Sequence, residues 1–112
     1  MSVTVQMVDA THGRPASEVR VVLECSDGEN WWPVAEATTD DAGRIDDWHG
    51  ADSTGSSLRL IIDARRFFAL QGLPSTQADI TIALGPTVEG MVHHVPVLLG
   101  PFGYSTYTGL SS

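Results

Sequence analysis

From Val3 to Asp9 the chain alternates apolar and polar side chains, VTVQMVD, the period-two pattern of a strand with one buried face. Val3, Val5 and Met7 fall on one face, and Thr4, Gln6 and Val8 on the other. Comparable runs predict strands over Glu18–Cys25, Trp32–Thr39, Ser57–Ile62, Ala78–Leu84, Gly90–Leu98 and Tyr104–Gly109, with a short one starting at Arg44 and running toward Trp48. Turn chemistry separates them: THGRP at 11–15, SDGEN at 26–30, DDAG at 40–43, a small polar loop at 49–56, and Gly100, Pro101 and Gly103 before the last strand. One segment breaks the alternation. Asp63 is a good helix N-cap and Gly72 a good C-terminal stop, and Ala64, Phe67, Phe68 and Gln71 between them recur at helical spacing. About eight strands and one short helix predict an all-β antiparallel sandwich; pattern alone leaves a barrel open. With no repeat, linker or internal boundary, residues 1–112 read as a single domain.

Composition narrows the partners. Fourteen acidic residues against six basic ones leave a net charge of −8. An acidic surface repels phosphate backbones, so no nucleic-acid partner is expected. No stretch approaches the roughly 20 apolar residues that cross a bilayer, so no membrane partner is expected. MSVTVQMVDATHG lacks the basic flank and apolar core of a signal peptide, which makes a cytoplasmic location the default expectation. The single cysteine, Cys25, cannot form an internal disulfide and reads as a buried thiol at a strand end. No spacing among His12, His49, His93 and His94 suggests zinc, so no metal is expected.

Four segments carry a resemblance. HHVPVLLGPFGYSTYTG is similar to the C-terminal signature of 5-hydroxyisourate hydrolases. VDATHGRPASEVRVVL resembles that family's first strand, turn and second strand; TTDDAGRI resembles its DGR turn; LRLIIDARRFFALQG resembles its strand-then-helix segment. Together they span nearly the whole chain in order. The resemblance to the transthyretin/5-hydroxyisourate hydrolase family implies a transthyretin-like sandwich of two four-stranded sheets with one short helix. It also implies a homotetramer built as a dimer of dimers. Sites would lie in clefts between the dimers, and a ring amide would be hydrolysed without cofactor or metal.

The same resemblance assigns candidate residues. His94 matches the histidine of the HVP motif, and Arg44 the arginine after the DG turn. Gln6 stands where the family has a first-strand histidine, Thr108 where it has the arginine of YRGS, Leu110 where it has that motif's serine, and Val92 where a histidine precedes HVP. Alternation places Gln6 outward, groups Val92, His94 and Pro96, and groups Tyr104, Thr106, Thr108 and Leu110. If the strands are neighbours, one face is expected to carry Gln6, His94, Thr108 and Leu110, with Arg44 reaching in from its turn and Trp48 as a pocket wall. His93 should point the opposite way from His94. His12 and His49 read as solvated, Trp31 and Trp32 as core or interface, Tyr107 as packing, and Asp40, Asp41, Asp46 and Asp47 as a solvated acidic run.

Amide hydrolysis needs a base for water and a donor for the oxyanion. His94 suits the first task and Arg44 the second. Gln6 can orient a ligand but cannot take its proton. The expected function is therefore a diverged 5-hydroxyisourate-hydrolase-like enzyme that opens or closes the ring of a small molecule by acid–base catalysis. The alternatives are an atypical 5-hydroxyisourate hydrolase and a non-catalytic binding module.

Overall fold

The computed structural model describes residues 3–50, 57–76, 78–85 and 90–111, with His49 and Gly50 described by their backbone alone. The elements are β1 (Val3–Asp9), β2 (Arg14–Pro15), β3 (Arg20–Ser26), β4 (Trp31–Thr38), β5 (Arg44–Ile45), β6 (His49–Gly50), β7 (Ser57–Ile62), α1 (Ala64–Leu70), β8 (Ile80–Leu84), β9 (Val92–Leu99), β10 (Tyr104–Thr106) and β11 (Gly109–Ser111). They form two sheets, as a sandwich requires. In the first, β9 and β1 are central; β2 and β5 share the far edge of β1, and β10 and β11 share the far edge of β9. The second runs β6-β4-β3-β7-β8. The first sheet is thus four strands wide with two edges each split in two. The second is four long strands with a two-residue addition.

The predicted strand β1 and strand β7 are matched residue for residue. Other ends shift by a residue or two. β3 starts only at Arg20, because Glu18 adopts a left-handed conformation (φ 61°) outside the strand region. The short strand at Arg44 stops at Ile45. The last predicted strand is two pieces, interrupted at Tyr107 and Thr108. The polar loop expected at 49–56 opens with the two-residue β6, and 51–56 lie outside the described residues. One pairing departs from an all-antiparallel sandwich: β1 and β9, the first and last long strands, run parallel side by side.

The core is made by the inward side chains of both sheets. Val3, Val5 and Met7 of β1 and Val95, Val97 and Leu99 of β9 meet Val21, Leu23, Leu58, Leu60 and Ile62. Ala64 and Phe68 of α1 are fully buried and extend the core. Asp63 caps the helix by accepting from the Arg66 N–H. At the other end, Gly72 (φ 67°) lets its own N–H reach Ala69 O and the Leu73 N–H reach Phe68 O, which stops the helix. Cys25 and His93 both point inward and are buried, as expected. Because the inward faces are filled, the outward face of β1 and β9 is left for polar groups.

Candidate active site

Register decides which side chains share that outward face. In the parallel pair, Thr4 lies beside His94 and Gln6 beside Pro96. Across β1, Gln6 pairs with Arg44 of β5. On the other flank Gly109 pairs with His94 and Ser111 with Val92. The face therefore carries Thr4, Gln6, Arg44, Val92, His94 and Ser111 from four strands.

Hydrogen bonds tie this set into two clusters. Thr4 Oγ1 is 2.8 Å from His94 Nδ1, and Ser111 Oγ is 2.7 Å from His94 Nε2. Both ring nitrogens are thus engaged by hydroxyls, which fix the ring plane and leave two proton arrangements, since a hydroxyl either donates or accepts. In the second cluster, Gln6 Nε2 donates to Ala42 O at 2.7 Å, and Arg44 Nη1 donates to Gln6 Oε1 at 3.4 Å. Arg44 Nη2 also approaches Asp46 Oδ1 at 3.3 Å. The guanidinium is half exposed, with donors left over. Its position comes from the DDAG turn. Asp40 Oδ1 accepts from the N–H groups of Ala42 and Arg44, and Gly43 takes a left-handed φ of 75° to bring Arg44 against β1.

The face offers an imidazole with a hydroxyl on each nitrogen and, on the other side of β1, a partly free guanidinium. The first can move a proton, and the second can hold an anion or a developing oxyanion. Among the described residues no cluster of three or more His, Cys, Asp or Glu side chains is arranged to hold a metal ion.

Comparison with known proteins places this geometry. The HIUase/transthyretin family model matches residues 3–109. The chain belongs to the HIUase/transthyretin family. It is 33% identical over 110 residues to a 5-hydroxyisourate hydrolase of Caulobacter vibrioides, covering 95% of this chain and 96% of that protein. It is 31% identical over 107 residues to a 5-hydroxyisourate hydrolase of Salmonella typhimurium, covering 95% and 79%. The crystal structure of sea bream transthyretin in complex with thyroxine superposes with a TM-score of 0.88 at 23% identity, over 100% of this chain and 98% of that one. The chain is thus 5-hydroxyisourate-hydrolase-like in sequence and transthyretin-like in fold.

In this family member the structure brings together Gln6, Arg44, Val92 and His94, as the sequence predicts. It does not bring Thr108 and Leu110 to them. Leu110 pairs with inward-facing His93, so it lies on the sheet side opposite His94. Thr108 lies in the break between β10 and β11 and is exposed. Tyr107 lies in the same break and is 73% exposed rather than packed. Trp48 is no open wall: it packs against the core, and its Nε1 donates to Val3 O at 2.9 Å. His12 is exposed, as expected, and also has a partner. Its Nδ1 is 2.8 Å from Asp9 Oδ2, and that carboxylate, 1% exposed, also accepts from the Thr11 and His12 N–H groups. Trp31 and Trp32 are half exposed on β4 in the other sheet, with the Arg59 guanidinium 4.1 Å above the Trp31 ring. The His49 side chain lies outside the described residues.

Two residues on the face were missed from the sequence, Thr4 and Ser111. Thr4 was legible, since it alternates with Gln6. Ser111 needed the register of β11. A groove of about 450 Å³ beside α1, walled by Arg14, Glu18, Asp41, Phe67 and Gln71, involves none of the face residues.

Proposed function

We propose that this protein is a ring-opening hydrolase of the 5-hydroxyisourate type, with a site in which one histidine does the work usually shared. The observation that carries the reading is the placement of His94 and Arg44 on one face by the pairing of β1 with both β9 and β5. His94 is the acid–base group, held by Thr4 and Ser111. Arg44 binds the carbonyl oxygen of the scissile ring amide, and Gln6 positions Arg44 rather than acting on protons. Val92 borders the site beside His94. Tyr107, exposed in the break between β10 and β11, is available to cover a planar ring. The substrate class is a small cyclic amide with polarised carbonyls, 5-hydroxyisourate or a close relative of it, and the reaction needs no cofactor.

An open sheet face does not exclude water, so a second copy is part of the reading. Leu98, on the His94 side of β9, and Phe102 and Tyr107, in the turn and the break that follow it, are large and exposed. Family membership supports a homotetramer that encloses the face, and such exposed residues are what an interface would cover. No helix among the described residues is long and apolar enough to cross a membrane; a cytoplasmic location remains the reading proposed here.

The test is the ultraviolet decay of freshly generated 5-hydroxyisourate. Wild type is expected to accelerate it and His94→Ala to lower the rate about a hundred-fold or more, the usual worth of a positioned acid–base group. Decay at the buffer rate with wild type would remove this substrate. Undiminished turnover by His94→Ala would remove the site.

A further inference from the structure

The hydrogen bond between Ser111 and His94 occupies the ring nitrogen that a water nucleophile would need. Ser111 Oγ sits 2.7 Å from Nε2, within the distance at which a hydroxyl hands over its proton. The other nitrogen, Nδ1, is held by Thr4 Oγ1 at 2.8 Å. A nucleophile, a base and a group orienting that base thus stand in line, with a threonine hydroxyl in the orienting place. We infer that Ser111 is a nucleophile activated by His94, so that the protein forms an acyl-enzyme with activated esters and strained cyclic amides. The inference rests on the same site as the ring-opening reading but not on that substrate.

The step balances without any further reactant. With Nδ1–H donating to Thr4 Oγ1, Nε2 is free to accept the Ser111 proton. Oγ bonds to the acyl carbon as His94 takes that proton, and the carbonyl electrons move onto the acyl oxygen. The tetrahedral carbon then expels its leaving oxygen or nitrogen, which picks up the proton from His94. Water next attacks the acyl-serine. His94 removes the water proton and returns it to Oγ, releasing a carboxylic acid. The opposite tautomer, Nε2–H donating to Ser111, would make Ser111 an acceptor and forbid the step.

The probe is p-nitrophenyl acetate. The chain contains no lysine, so side-chain amines do not compete for the acyl group. Mass spectrometry of the intact protein, then of peptides, is expected to find one acetyl group on Ser111, formed in a burst of nitrophenol. Ser111→Ala should lose the adduct, and His94→Ala should slow its formation about a hundred-fold or more. Thr4→Val should slow it less and leave Ser111 as the acceptor. Nitrogen-15 NMR of His94 should show a protonated Nδ1 and an unprotonated Nε2 at pH 8. An unmodified Ser111, an adduct that survives Ser111→Ala, or the reversed tautomer would each overturn the inference. Ring opening at the wild-type rate by Ser111→Ala would overturn it too, while leaving the hydrolase reading intact. An acetylated Ser111 in a protein that leaves 5-hydroxyisourate untouched would uphold the nucleophile and remove that substrate.

Discussion

Replacing Gly43 with alanine tests how the Arg44 turn is built, and Gly13→Ala is its internal control. Both glycines have left-handed φ values, 75° and 63°, so both substitutions incur the same backbone penalty, about 1 kcal/mol. Their surroundings differ. A Cβ on Gly13 meets nothing within 4 Å, whereas one on Gly43 would lie 2.2 Å from Met7 O and 3.3 Å from Ala16 N. Both atoms are backbone, and Met7 O already accepts from the Ala16 N–H at 3.0 Å. The turn must therefore retreat by about 1 Å to restore ordinary contact. Retreat strains the bond from Met7 N to Gly43 O, now 2.8 Å, and loosens the Gln6–Arg44 pairing. With the backbone penalty, one or two weakened hydrogen bonds at about 1 kcal/mol each and overpacking of about 1–3 kcal/mol bring Gly43→Ala to roughly 3–6 kcal/mol. Urea unfolding at fixed protein concentration should give both variants the wild-type slope, with the Gly43→Ala midpoint displaced several times further. Gly43→Ala should also weaken substrate binding, because Arg44 moves with its turn. Equal midpoints for the two variants would refute the close approach of this turn to β1.

Three further outcomes follow from named contacts. Gln6→Leu removes the acceptor at 3.4 Å from Arg44 but touches neither nitrogen of His94. It should raise KM about tenfold, the worth of one hydrogen bond to a charged group, and leave the pH profile of kcat unchanged in steady-state assays. Thr39→Val strips a buried hydroxyl that accepts from Val19 N at 2.9 Å and donates to Ala16 O at 2.7 Å, so it should cost about 2–3 kcal/mol in denaturant unfolding. Asp27 is held below its ordinary pKa by the N–H groups of Glu29 and Asn30. Its contribution is present above the unfolded-state value and lost as pH falls through the folded one, so Asp27→Asn should narrow its stability gap to wild type in strong acid; carboxyl NMR would locate the midpoint.

The sandwich was legible because burial writes a period of two into the chain. β1 shows it most clearly: Val3, Val5 and Met7 are buried, and Thr4, Gln6 and Val8 are partly exposed. The helix was legible from its stops, since Asp63 and Gly72 perform the local hydrogen bonding their types predict. The parallel pairing of β1 with β9 was not, because alternation reports which face is buried and not which strand lies alongside. The pairing of His12 with Asp9 escaped for a similar reason. A turn histidine three residues after an aspartate reads as solvated, and His12 is exposed, but only the burial of Asp9 makes the pair necessary.

The placement of Leu110 turns on a finer point. Alternation grouped Tyr104, Thr106 and Leu110 correctly, yet it assigned Leu110 to the His94 side of the sheet, where the register does not put it. Within one strand, alternation fixes relative faces only; the absolute face comes from the connection to the neighbouring strand. Here that connection is the four-residue turn 100–103, closed by the Gly100 N–H on Gly103 O. It sets Tyr104 opposite Leu99, whose side chain is buried. The paired residues keep that register: Tyr104, Thr106 and Leu110 face with Leu99, Val97 and His93, and Ser105, Gly109 and Ser111 face with Leu98, His94 and Val92. A turn one residue longer or shorter would exchange the two sets. Ser111 reaches His94 only because the turn has its present length. Inserting one glycine between Gly100 and Pro101 should therefore leave the core strands β1, β3, β7 and β9 paired, since β10 and β11 lie at an edge. It should nonetheless withdraw Ser111 from His94 and present Leu110 in its place. Loss of the His94–Ser111 contact by NMR, with little change in unfolding midpoint, is the expected result. A retained contact would mean that β11 holds its register independently of the turn.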